Sequence, residues 1–76
     1  MVIMKSELKK MSLEMKKDIV FELFLEAQAI DPEVADRFDP DSDKMIDKKI
    51  DVLQKIVEGK NPVDIDGYED ILELEN

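Results

Sequence analysis

From Ser12 to about Ile30 apolar side chains recur at the three- and four-residue spacing of an α-helix. Met15, Ile19, Leu23, Ala27 and Ile30 share one face, and Val20, Phe24 and Phe21 broaden it. A second stretch, from Pro40 or Asp41 to Glu58, has the same periodicity, with Ile46, Ile50, Leu53 and Val57 on one side and Met45, Val52 and Ile56 beside them. The chain's punctuation falls between and after these stretches. Asp31-Pro32-Glu33 ends the first helix and starts a short one over Pro32 to Phe38, because Asp caps, Pro suits the first helical position and an acid in the first turn meets the helix dipole favourably. Asp39-Pro40-Asp41 repeats that signature, and Gly59 stops the second long helix in the left-handed C-terminal position. The pattern predicts an all-α fold, a single small domain over residues 1–76 with three to four helices. Its two long helices form a hairpin across the short one.

The ends are less regular. Helical spacing continues backwards through Met11, Leu8 and Met4, with Ser6 and Ser12 as alternative caps, so the first helix either begins near Lys5 or breaks at Ser12. After Asn61-Pro62 the chain reads as extended through Val63 and Ile65. A short last helix is expected from about Gly67 to Leu74. The core is expected to rest on Phe21, Phe24, Ile50, Leu53 and Val57.

Seventy-six residues bury a modest core, and small scaffolds commonly add disulfides, a metal or a partner subunit. Cys and His are both absent, which removes disulfides and ordinary structural zinc. Tight helix packing or self-association is left as the stabiliser, and a homodimer through the Met/Phe-rich face of the first long helix is expected. No uninterrupted apolar run resembles a signal peptide or a membrane span, because Glu22 and Glu26 interrupt the most apolar stretch. A cytoplasmic location is therefore expected.

Charge is divided unevenly. Residues 1–17 carry a balance of +3 and residues 18–76 a balance of −12, giving −9 overall. Such a surface repels nucleic acid and anionic membrane and attracts basic protein surfaces. The chemistry of catalysis is thin: without His or Cys there is no imidazole base and no thiol nucleophile, and the hydroxyls are limited to Ser6, Ser12, Ser42 and Tyr68. No catalytic residue and no cofactor are assigned.

Asp39-Pro40-Asp41-Ser42-Asp43-Lys44-Met45-Ile46-Asp47 resembles the opening of an EF-hand calcium loop, with Asp39, Asp41, Asp43 and Asp47 at loop positions one, three, five and nine. The resemblance then fails, since Lys44 stands in place of the turn Gly and Ile50 in place of the bidentate Glu. It implies at best a weak cation site, and the same acids suit a helix N-terminus. A fainter echo, Asp64-Ile65-Asp66-Gly67 with Glu73, has Pro62 where the first ligand belongs and reads as a turn.

Glu14, Asp18, Glu22 and Glu26 recur every fourth residue and form an acidic stripe opposite the apolar face. They repeat at about 6 Å along the helix axis, and like charges at that spacing cost a few tenths of a kcal/mol per pair. Asp64, Asp66, Glu69 and Asp70 form a second acidic patch in residues 61–76, which lack any basic residue. These eight are the candidate contacts for a basic partner. The N-terminal stretch, with Met1, Met4, Met11 and Met15 among five Lys, suits a groove on another protein, or closes the domain by folding its Lys against residues 61–76.

Three functions follow as expectations. The first is a non-catalytic regulatory or adaptor module acting through protein–protein contact. The second is an inhibitor whose acidic face imitates nucleic acid; in size and charge the chain is similar to small phage and mobile-element proteins that block restriction or CRISPR machinery. The third is a weak calcium-binding module.

Overall fold

Ser12 decides where the long helix begins. In the computed structural model, which describes residues 5–74, its Oγ accepts the Met15 backbone N–H at 3.2 Å. Helix α1 (Lys5–Leu8) is therefore a separate turn ahead of helix α2 (Leu13–Ile30). Ser6 lies inside α1 rather than ahead of it. Met1 and Met4 of the expected N-terminal face lie outside the described residues. At the other end of α2, Asp31 donates its N–H to the Ala27 carbonyl (2.8 Å) while its Oδ1 accepts the Glu33 N–H (3.1 Å). One residue thus closes α2 and opens helix α3 (Pro32–Arg37).

The second Asp-Pro-acid signature does something different. Asp39 Oδ1 accepts the Asp41 N–H at 3.0 Å and Ser42 Oγ accepts the Lys44 N–H at 3.3 Å. These local bonds compete with helix formation, as short polar side chains do in turns. Met45 then takes a left-handed φ of 51°, and helix α4 runs only over Ile46–Val57, well after the expected start at Pro40 or Asp41. Its end is as expected. Gly59, at φ 100°, donates to Ile56 and Lys60 donates to Lys55, both at 3.0 Å, the paired bonds of a Schellman cap.

The C-terminal helix expected over Gly67–Leu74 reduces to one of two 3-10 turns, Pro62–Asp64 and Glu69–Ile71. Leu72 is already extended, and Leu74 donates its N–H to the Arg37 carbonyl at 2.8 Å while its own carbonyl accepts from Arg37 Nε at 3.2 Å. That bridge to α3 pulls the last described residues away from a helical path.

α2 lies along α4 and α3 folds against α2, while the second 3-10 turn contacts α4, so the hairpin across a short helix is the observed architecture. The core joins Val20, Leu23 and Ala27 of α2 to Val34, Phe38, Ile50, Val52, Leu53, Ile56, Ile65, Tyr68, Ile71 and Leu72, with Leu8 of α1 added. Ile50 and Leu53 are fully buried, and Phe24 and Val57 pack in part. Phe21 does not: it is 48% exposed, as are about half of Met15 and Ile30. α2 is apolar over too much of its circumference for one partner helix to cover, and Ala27 and Val20 allow the closest approach. Their side faces inward and Phe21 is turned out.

Ion pairs close the fold, but the cations that meet the C-terminal acids are not the expected N-terminal Lys. Lys16 of α2 meets Asp47 of α4 at 2.8 Å, while the C-terminal acids Glu69, Asp70 and Glu73 meet Arg37 (3.5 Å), Lys48 (3.4 Å) and Lys49 (2.6 Å). α3 and α4 supply the cations for the C-terminal acids, and among the described residues no ion pair joins the N-terminal Lys to residues 61–74. Among the described residues no helix is long and apolar enough to cross a membrane.

Candidate interaction surface on the outer side of α2

Burying Val20, Leu23 and Ala27 sends Glu14, Asp18, Glu22 and Glu26 to solvent, and all four are exposed. None of them enters an ion pair among the described residues, so the like charges four residues apart stay unanswered. The stripe is not purely acidic. Phe21 and Leu25, 48% and 51% exposed, stand one turn apart, and each lies three residues beyond an acid of the row, Asp18 or Glu22. Residues three and four apart are neighbours on a helix surface, so carboxylates and apolar side chains alternate over this side. Phe21 is held from behind. Its ring lies tilted 6.5 Å from Phe24, which stacks at 5.4 Å on Phe38 in the core.

The second patch is partly used. Glu69 and Asp70 pair with Arg37 and Lys48, whereas Asp64 and Asp66 are exposed on the turns around Gly67. The four EF-hand-like acids are likewise dispersed in their contacts: Asp39 caps a turn, Asp47 pairs with Lys16, and Asp41 and Asp43 face solvent. Among the described residues no three acids converge as metal ligands would.

Two buried polar contacts escaped the sequence. Lys49 has no exposed surface, and its ammonium donates to Glu73 (2.6 Å) and to the Ser42 carbonyl (2.9 Å) while lying 5.5 Å from the Phe38 ring centroid. Ser42 Oγ adds a 3.3 Å hydrogen bond to Glu73. The Lys49 contact holds the Glu73 carboxyl below the usual carboxylate range, against the opposing effect of partial burial. The second is Tyr68, whose hydroxyl donates to Asp31 Oδ2 at 2.5 Å. Burial first, then that bond and the neighbouring carboxylates, push its phenol well above the ordinary value. One signal for Lys49 was present: it stands between Ile46 and Leu53 on the apolar side of α4, where a cation must either snorkel or find a partner.

A cleft of about 390 Å³ lies between Leu8 and α4, with Lys9, Lys48 and Lys55 facing Asp47, Asp51 and Asp66. None of those carboxylates is buried, and Asp47 and Asp51 are paired with Lys16 and Lys55. The cleft thus holds charges of both signs in contact with water. No match to this chain emerges among protein families, curated proteins or solved structures.

Proposed function

We propose that this chain is a small, non-catalytic, cytoplasmic interaction module that binds a protein with a basic surface through the outer side of α2. One observation carries the proposal: the row Glu14, Asp18, Glu22 and Glu26 is unneutralised and interleaved with the half-exposed Phe21 and Leu25. Three like-charge neighbours at this spacing cost the free chain on the order of 1 kcal/mol. A docked basic surface removes that cost, and the two apolar side chains supply contact area. Self-association through the same side is the weaker form of the idea, because two copies bring eight carboxylates around it with only Lys17 of each helix nearby.

The double substitution Asp18→Lys with Glu22→Lys separates recognition from folding. It places cations one turn from Glu14 and Glu26, so the fold gains a few tenths of a kcal/mol to about 1 kcal/mol while binding is lost. Proteins retained by the immobilised wild-type chain and released by this variant are the partners. An identical retained set would remove the row from the contact.

Nucleic-acid mimicry draws on the same row, and salt distinguishes it. Affinity that collapses steeply between low and physiological ionic strength marks mimicry, whereas a contact anchored by Phe21 and Leu25 weakens far less. Light scattering on the purified chain decides whether a second copy is the partner.

A further inference from the structure

We infer that the element received by α2 is an amphipathic helix, apolar on one face and Lys/Arg-rich beside it, with its basic end against Glu14 and Asp18; this rests on the proposed acidic contact surface. Glu14, Asp18, Phe21, Leu25 and Gln28 alternate at spacings of four and three, the repeat of a helix–helix seam. The seam spans fourteen steps of helical rise, about 21 Å. Glu14 and Asp18 occupy the N-terminal half of the seam itself and the apolar pair its C-terminal half, where Glu22 and Glu26 only flank it, so the seam-facing cations belong at the N-terminal end. Phe21 is prepositioned by Phe24, itself stacked on Phe38, so the anchor loses little freedom on docking.

A strand fits poorly on the same side. The backbone of α2 is closed in its own hydrogen bonds, so a strand laid over Phe21 and Leu25 would bury N–H and C=O groups without partners. A helix brings its backbone already satisfied. A second copy of this chain lacks the charge, since the described surface of α2 offers few cations to answer the row.

The probe is a fluorescein-labelled eighteen-residue Leu/Lys peptide patterned as an amphipathic helix with its Lys concentrated toward one end. Its control has identical composition, permuted so that no two Leu share a face. Fluorescence anisotropy on the full chain at physiological salt is expected to show the patterned peptide binding at least about tenfold tighter than the permuted one. Leu25→Ser and Phe21→Ser each weaken it by about tenfold or more, in the range of interface anchors. Val63→Ser, at an exposed apolar residue on the first 3-10 turn, leaves it unchanged, and circular dichroism reports the fold of each variant.

Equal binding of the two peptides, lost in the Asp18→Lys/Glu22→Lys variant, would overturn the helix and leave the acidic surface standing. Absence of binding by both peptides would overturn the two together. A dimer by light scattering that Leu25→Ser dissolves would replace the foreign helix with a second copy.

Discussion

Removing the Lys49 ammonium tests what holds the C-terminal segment on the fold. Lys49→Met keeps the aliphatic stem but deletes the donor to Glu73 (2.6 Å) and to the Ser42 carbonyl (2.9 Å). The losses are a charge-assisted hydrogen bond of about 1.5–3 kcal/mol and a carbonyl left short of its donor at about 1–3 kcal/mol. They are offset by the desolvation that a buried ammonium no longer costs. A net loss of about 2 kcal/mol follows, lowering the melting temperature by about 8–16 °C for a chain of this size. The reverse deletion, Glu73→Met, costs more, about 3 kcal/mol, because it strands a cation with no exposed surface, whereas the Glu73 side chain keeps 21% of its own and regains water when its partner goes. Replacing both with Met removes the mismatch and returns stability to within about 1 kcal/mol of wild type, as buried pairs replaced by apolar residues do. Urea unfolding followed by circular dichroism, arranged as a double-mutant cycle, measures all three. The same contact sets an acid limit. Glu73 is held below its unfolded-state value of about 4.3, so its share of stability is complete above that pH and is lost as pH falls through the lowered folded value; Lys49→Met erases that share of the acid slope. If the single variants match wild type, or if the double variant shows the full sum of the two losses, the Lys49–Glu73 contact is not a coupled buried pair.

Tyr68 is the sole tyrosine, so ultraviolet titration reads it directly. In the folded chain its phenolate is expected to form well above pH 10 and in denaturant near about 10. Because the folded value is raised, stability is full below the unfolded pKa and declines as pH rises past it, and Tyr68→Phe makes the alkaline limit shallower at a cost of about 1–2 kcal/mol from the Asp31 bond. Met45 is a non-glycine residue at φ 51°, so Met45→Gly is expected to stabilise by up to about 1 kcal/mol in thermal melts; a lower melting temperature would mean that its side chain contributes more than the backbone conformation costs.

The helices were legible where local chemistry and periodicity agreed. Ser12, Asp31 and Gly59 each act as their residue type and spacing indicate. The start of α4 was not legible, because Asp39-Pro40-Asp41 repeats the Asp-Pro-acid pattern of Asp31-Pro32-Glu33. What separates them lies elsewhere in the chain: Lys49, one turn into α4, draws the Ser42 carbonyl toward itself, and Ser42 in turn bonds Glu73, thirty-one residues away. The terminal 3-10 turn has a similar origin, since Glu73 is held by Lys49 and Ser42 and Leu74 by Arg37 of α3, away from a helical path. Periodicity also left the rotation of α2 open. A helix with apolar side chains on most of its circumference has several equivalent inward faces until α4 chooses the one with Val20 and Ala27.

The candidate surface was half legible for the same reason. The spacing of Glu14, Asp18, Glu22 and Glu26 revealed the row, but Phe21 read as core, and only the rotation of α2 turns it out to solvent with those acids. The comparison that matters is within the molecule. α3 answers Glu33 with Arg37 and α4 answers Asp51 with Lys55, each cation four residues after the acid. α2 follows Glu14, Asp18 and Glu22 each with another acid, although Lys16 and Lys17 show that it can carry cations, and Lys16 is engaged by Asp47 across the helix pair. A helix arranged for stability alone would alternate the signs, as its neighbours do. The cost of the unanswered row is small for each pair. It falls on the one helix that also exposes Phe21 and Leu25 beside the acids, and a single event, a basic amphipathic partner settling over those two side chains, relieves both.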